Sequence, residues 1–228
     1  MILSTSHNFI FVHVPKTAGT ALMTALAPFS ANPRRTLWRS IMRRLPVREA
    51  PGRAYLRKHD PAARIIAKLG RGVYDGFHSF TVVRNPFDHA VSHFEFMKEF
   101  RIQSVADRIA AMTFEEYLDY RARRPFWNDT FFARQPEQSW FLLDARGRIA
   151  VNRIMRFESL GADFATLKAD LGLDGAELRH VNRTRAKSDK RPFQSYYDAT
   201  TLDMVRTIYA RDFDLLGYSR ELPPVQAG

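Results

Sequence analysis

An α/β fold with a central, mainly parallel sheet flanked by helices is predicted by three observations. Two short apolar runs, residues 9–14 and 80–84, are each followed by a turn and then by apolar residues at helical spacing, the strand–loop–helix unit that parallel sheets are built from. The 228 residues, 45% of them hydrophobic, suffice for one full core and leave little for a second, so residues 1–228 are read as a single domain. Aromatic content is high, Pro and Gly are ordinary and no internal repeat is present, which excludes disordered, collagen-like and low-complexity chains.

Residues 9–14, Phe-Ile-Phe-Val-His-Val, form a nearly continuous apolar run stopped by Pro15, the pattern of a strand buried on both faces, and are the first core strand. After a turn containing Gly19, the residues Ala21, Leu22, Ala25 and Leu26 recur at helical spacing. Leu37, Ile41 and Leu45 fall on one face of a short helix whose other face carries Arg39, Arg43 and Arg44, a basic amphipathic helix. Residues 62–69 continue the helical pattern and close at Gly70. The second strand, 80–84, ends at Asn85, which caps a helix, and Pro86, which suits its first position. Phe87, Val91, Phe94 and Met97 form that helix's apolar stripe. Residues 114–120 read as helix, 149–157 as a hairpin-like pair of short strands, 160–171 as a helix ended by Gly172, and 202–209 as the last helix. Residues 182–192 are a strongly basic surface loop.

A formal net charge of +11 attracts phosphates, sulfates, acidic glycans, nucleic acid and anionic lipid alike, and about a quarter of the basic residues lie between Arg34 and Lys58. No run approaches the roughly 20 apolar residues of a bilayer span. The 9–14 run lacks a basic leader and a cleavage site, so a cytoplasmic location is expected, with peripheral contact at the inner membrane face open to the basic helix. The absence of cysteine removes disulfides, thiolate nucleophiles and thiolate zinc sites. Nothing in the composition sets an oligomeric state.

Two constellations carry chemistry. In the first, the strand turns through Pro15, Lys16, Thr17, Ala18, Gly19 and Thr20 into a helix, whose unpaired amides and positive dipole end bind phosphate or sulfate. Gly19 lets the backbone approach, Lys16 adds a mobile charge, and the Thr17 and Thr20 hydroxyls add donors; a plain turn with a solvated lysine is the competing reading. The loop is not a Walker A sequence, because Lys16 precedes the only glycine, and no apolar strand ends in an acidic residue that would hold magnesium opposite it. In the second, Arg84 ends a buried strand, where open parallel sheets bind ligands, and a guanidinium there grips a phosphate at two points. Ser92 lies with Asp88, Glu95 and Glu99 off the apolar stripe. An ion pair of Arg84 with a carboxylate and a solvated Ser92 are the competing readings.

Residues 15–21 resemble the 5′-phosphosulfate loop, and 84–92 the 3′-phosphate motif, of the sulfotransferase family, in its carbohydrate-type, family 2-like branch and a bacterial form. The likeness continues through Asp144, Gly147, Arg156, Phe157 and Glu158, and from His180, Val181 and Asn182 to Tyr218. It implies a P-loop-like three-layer sandwich and transfer of a sulfuryl group from 3′-phosphoadenosine-5′-phosphosulfate to a hydroxyl, on a carbohydrate or glycolipid, with no metal required. It assigns Lys16, Thr17, Ala18, Gly19, Thr20 and Ala21 to the donor's 5′ end and Arg84 and Ser92 to its 3′-phosphate. His59, ahead of the helix that leads to the Arg84 strand, resembles the family's catalytic base, with Lys16 stabilising the leaving phosphate; His78 is the rival base. His89 and His93 form an i, i+4 pair with no third metal ligand apparent. Arg183, Arg185, Lys187 and Lys190 resemble a late segment that closes over the nucleotide, Arg185 and Lys187 serving as donor contacts, with a solvated charge run as the alternative. The stretch 34–57, with Phe126, Trp127, Phe131 and Phe132, is expected to wall the acceptor site. Two other classes stay open: a non-enzymatic binder of nucleic acid or anionic surfaces, disfavoured because no base-reading module is present, and a nucleotide kinase, disfavoured by the missing Walker sequence.

Overall fold

The computed structural model describes residues 1–31, 47–123, 137–178 and 191–225. The basic amphipathic helix expected around Leu37, Ile41 and Leu45 lies outside the described residues. Contacts along the chain group into two units, Met1–Val83 with Gln138–Val181 and Arg84–Glu137 with Asn182–Gly228. The strands are β1 (Ile2–Ser4), β2 (Phe9–Phe11), β3 (His78–Val83) and β4 (Arg153–Arg156). The helices are α1 (Gly19–Leu26), α2 (Ala62–Leu69), α3 (Arg71–Asp75), α4 (Pro86–Lys98), α5 (Gln103–Ala110), α6 (Phe114–Arg123), α7 (Gln138–Leu142), α8 (Leu160–Leu171), α9 (Ala199–Ile208) and α10 (Ala210–Leu216).

The first unit holds a sheet in the order β1-β2-β3-β4, with β1 antiparallel to β2 and the other pairs parallel, in the register Phe9 to His78 and Phe80 to Arg153. Phe9, Phe11, Phe80, Val82 and Met155 pack with Leu22, Ala25 and Leu26 of α1 and with Phe164 and Leu167 of α8. Each such fully buried side chain contributes about 1.5–3 kcal/mol over leaving it exposed. Ile10 and Thr81 are fully buried yet stand outside that cluster, because side chains alternate between the two faces of a strand, so neither face meets water. The predicted α/β sandwich, a mostly parallel sheet flanked by helices, is the observed one.

The first predicted strand is shorter than its apolar run. Regular pairing stops at Phe11, but the Val12 amide still donates to Phe80 at 2.9 Å, and Val12, His13 and Val14 stay buried. β1, three residues long, is too short to leave a periodic signal. The hairpin expected over 149–157 is not formed: only Arg153–Arg156 is a strand, and it runs parallel to β3, while Ile149 makes an isolated bridge with Leu143. A turn explains this. The Asp144 carboxylate accepts from the amides of Arg146 and Arg148, with Gly147 at φ 76, and reverses the chain before it reaches the sheet. Ser79 and Asn152 then exchange backbone and side-chain hydrogen bonds of 2.7–2.8 Å, which dock the next residues beside β3.

The second unit is helical. The stripe Phe87, Val91, Phe94 and Met97 of α4 is buried as predicted, against Val105, Phe114, Tyr117, Val205, Tyr209 and Phe213. The last predicted helix starts earlier, at Ala199, because Asp198 and Thr201 form a capping box, and α10 follows it up to Gly217 at φ 66.

Candidate active site

The turn between β2 and α1 is built from its own residues. Thr17 is fully buried and its hydroxyl donates to the Val14 carbonyl at 2.9 Å, pinning the turn to the end of the strand. Here the proton of the hydroxyl expected to serve an anion goes to the backbone. Lys16 and Ala18 have φ of 65° and 63°, left-handed values uncommon for non-glycine residues and found where a site constrains the chain. Helix α1 begins without a capping side chain, and its earliest backbone bonds run from Ala21 and Leu22 to Ala18 at 3.0 and 3.3 Å. The start of such a helix presents amides that suit an anion. Ala21 faces the core and its amide already donates to the Ala18 carbonyl, so it enters an anion site only by sharing that amide.

Gly19 has a role the sequence reading did not give it. A Cβ there would lie 1.8 Å from His13 Nε2, so the glycine makes room for a histidine ring. His13 is 2% exposed, its Nδ1 has no hydrogen-bond partner among the described residues, and its ring centroid is 4.3 Å from that of His59. Burial first, then His59, the Met1 amino group and Lys58, hold His13 far below the usual imidazole range, so it is neutral.

His59 is half-buried and sits in a turn made by its neighbours. The Arg57 amide donates to Asp60 Oδ2 at 2.7 Å, the Asp60 amide to the Arg57 carbonyl at 3.3 Å, and Asp60 pairs with Arg64 of α2 at 3.2 Å. Upstream, Glu49 ties this stretch to α2 through the buried Lys68, at 3.0 Å. His59 Nδ1 lies 3.2 Å from the His13 carbonyl. A carbonyl only accepts, so Nδ1 carries the hydrogen and Nε2 the lone pair in the neutral ring. Burial, partly offset by that bond to His13 and reinforced by Lys58 and the Met1 amino group, lowers the His59 pKa to about 4. At neutral pH, His59 is therefore an unprotonated base. The rival, His78, opens β3 opposite Phe9, at the strand end away from the Lys16 turn. Six strand residues span roughly 20 Å. A cavity of about 340 Å³ in the same unit is walled by Met23, Tyr55, Leu56 and Lys58, among others, so the residue before His59 forms part of it.

Arg84 follows Val83 in the chain and opens the second unit. Its Nε and Nη2 donate to the two Asp88 oxygens at 2.6 and 2.7 Å, a two-point fork of one helical turn. The ion-pair reading of Arg84 thus describes its geometry here, and two of its five N–H donors are in that fork. Ser92, half-buried, is four residues beyond Asp88 and shares its helix face. Asn85 Oδ1 accepts from the Phe87 amide at 3.0 Å and Pro86 occupies the first turn, the predicted cap.

His89 and His93 are buried, with their Nδ1 atoms bonded to the hydroxyls of Tyr209 and Tyr117. Among the described residues no group of three His, Asp or Glu is placed to hold a metal ion, and no helix is long and apolar enough to cross a membrane. Arg183, Arg185, Lys187 and Lys190, His180 to Asn182, the arginines 34–44, and Phe126, Trp127, Phe131 and Phe132 lie outside the described residues. What the sequence reading missed is His13, Asp60 and the Asp88 fork. His13 carries a legible signal, a titratable ring inside a buried apolar strand, which must have a reason to be there.

No curated protein and no solved structure matches the chain significantly. A family model does match, over residues 1–219, and with nearly the whole length covered the chain belongs to the sulfotransferase family and is a transferase.

Proposed function

We propose that the chain transfers the sulfuryl group of 3′-phosphoadenosine-5′-phosphosulfate to a hydroxyl of a carbohydrate or glycolipid, in the cytoplasm. The observation that supports this reading most is the contact chain in which the His13 carbonyl accepts from His59 Nδ1 while the His13 ring packs against Gly19 at the start of α1, so that the His59 imidazole and the anion-type loop belong to one unit. His59 Nε2 accepts the acceptor's proton as its oxygen bonds to sulfur and the bond from sulfur to the phosphate oxygen breaks. Lys16 and the amides of residues 17–21 stabilise the charge that grows on the departing 5′-phosphate. Thr20 adds its hydroxyl. Arg84 and Ser92 take the 3′-phosphate, which sets this donor apart from ATP; Arg185 and Lys187 add charge to the donor. The basic stretch from Arg34 to Lys58 attracts an acidic glycan or the anionic surface that carries a glycolipid.

In-line transfer of this kind needs positioning and charge stabilisation more than covalent chemistry. The left-handed Lys16 and Ala18, the glycine at 19 and the uncapped α1 suit a phosphosulfate. The test is transfer of radiolabelled sulfate from the donor to a panel of glycans, glycolipids and small alcohols in the presence of a chelator. Labelled product that disappears in His59→Gln supports the reading; magnesium-dependent phosphate release from ATP with no labelled product overturns it.

A further inference from the structure

We propose that His13 is a positioning residue for both parts of the site in the first unit: its ring, wedged between Gly19 and His59, sets the start of α1 and screens the base, while its carbonyl orients the His59 imidazole. The inference rests on the reading of the Lys16 loop and His59 given above, and adds to it a residue that touches neither donor nor acceptor.

Three contacts converge on this side chain. A methyl on Gly19 would stand 1.8 Å from Nε2 and 2.0 Å from Cδ2 of the ring, closer than any real Cβ contact, so ring and glycine occupy each other's only space. A second neighbour is His59, at 4.3 Å between centroids and 43° between planes. Phe11 stacks beneath at 5.7 Å and 21°, holding the ring to the end of β2. The strand therefore delivers one rigid plate with the helix start on one contact and the base on another. An ordinary apolar side chain would fill a core as well, so packing alone does not call for histidine here, whose Nδ1 has no partner among the described residues. A flat ring matches both a glycine Cα and a second imidazole, which a branched side chain does not.

The charged and titratable groups bearing on His59 are Lys58 beside it in the turn, the Met1 amino group ahead of β1, and His13 itself; Asp60 bears on the Met1 amine. Removal of the His13 ring admits water to His59, and its titration moves up from about 4 towards the ordinary 6.5.

Two measurements test the proposal. NMR titration of the His59 ring needs no substrate: in His13→Ala its midpoint rises by about one pH unit or more. Calorimetry with 3′,5′-adenosine bisphosphate reads the loop: His13→Ala and Gly19→Ala each weaken binding about tenfold, and the double substitution weakens it by clearly less than the product of the two, because both break the same contact between ring and helix start. Unchanged titration of His59 in His13→Ala, or effects of the two substitutions that simply add, overturns the proposal. Should His13→Ala not fold, His13→Asn, smaller than the wild-type ring and polar, carries the same titration with the same two outcomes. A wild-type protein that fails to bind the bisphosphate counts against the donor assignment, while the His59 titration still decides the role of His13.

Discussion

Two junctions of the molecule lead from a strand into a helix, and they are built on opposite plans. Ahead of α1, Lys16 and Ala18 are left-handed, no side chain caps the helix, and the tight space at Gly19 is filled by His13. Ahead of α4, Asn85 caps, Pro86 removes a donor, and Asp88 sits in the first turn gripping Arg84. An uncapped start offers backbone amides to an anion; at the second start Asn85 takes the Phe87 amide and Pro86 has none, so fewer amides are on offer there. Under the proposed function the first junction takes the group that changes charge during the reaction, and the second a group that is only held.

Substitutions at the two junctions should differ accordingly. The largest effect is expected at the base: His59→Gln lowers turnover by roughly a hundredfold or more with bisphosphate affinity retained. Retained turnover would return the role to His78. Arg84→Ala comes next, with bisphosphate affinity falling by about 1.5–3 kcal/mol in calorimetry, the value of hydrogen bonds to a charged group. Asp88→Asn keeps the shape of the fork and removes a negative charge that competes with the 3′-phosphate, so affinity rises a few-fold; a fall would show that Asp88 chiefly orients Arg84. Smallest is Asn85→Ala, which loses about 1 kcal/mol of stability in denaturant melts with donor affinity unchanged, since that cap serves the helix alone.

Acid acts on the first junction. The first contains two neutral histidines, His13 and His59, both with pKa values below the ordinary 6.5. In the unfolded chain each takes up its proton near 6.5, while in the folded protein His59 waits until about 4. The unfolded state thus binds more protons in that window, and stability falls as pH drops from about 6.5 to about 4. Replacement of His59 by Gln should flatten part of that fall in denaturation curves taken across the window.

The legibility of the sequence follows the same divide. The second junction was readable because its devices are local: the Asn-Pro start and the stripe Phe87, Val91, Phe94 and Met97 lie within one short stretch, and an ion pair was one of the two readings of Arg84, although Asp88 was not named as its partner. Helix α8 and its glycine stop were legible for the same reason. At the first junction the loop was visible as a motif, but its construction joins residues far apart in the chain, His59 to His13 and Glu49 to Lys68. No periodicity reports such pairs. The false hairpin at 149–157 arose in the same way, because the partner of β4 is β3, more than seventy residues earlier in the chain.

Under the proposed function Lys16 and Arg84 each contact a donor that carries phosphate at both its 3′ and 5′ ends. Calorimetric titration of 3′,5′-adenosine bisphosphate into the wild-type protein, Lys16→Ala and Arg84→Ala, with chelator present, tests it most directly. The account predicts saturable binding to the wild type that each substitution weakens by about tenfold or more. Equal affinity in all three proteins, or binding of ATP with magnesium in place of the bisphosphate, would contradict it.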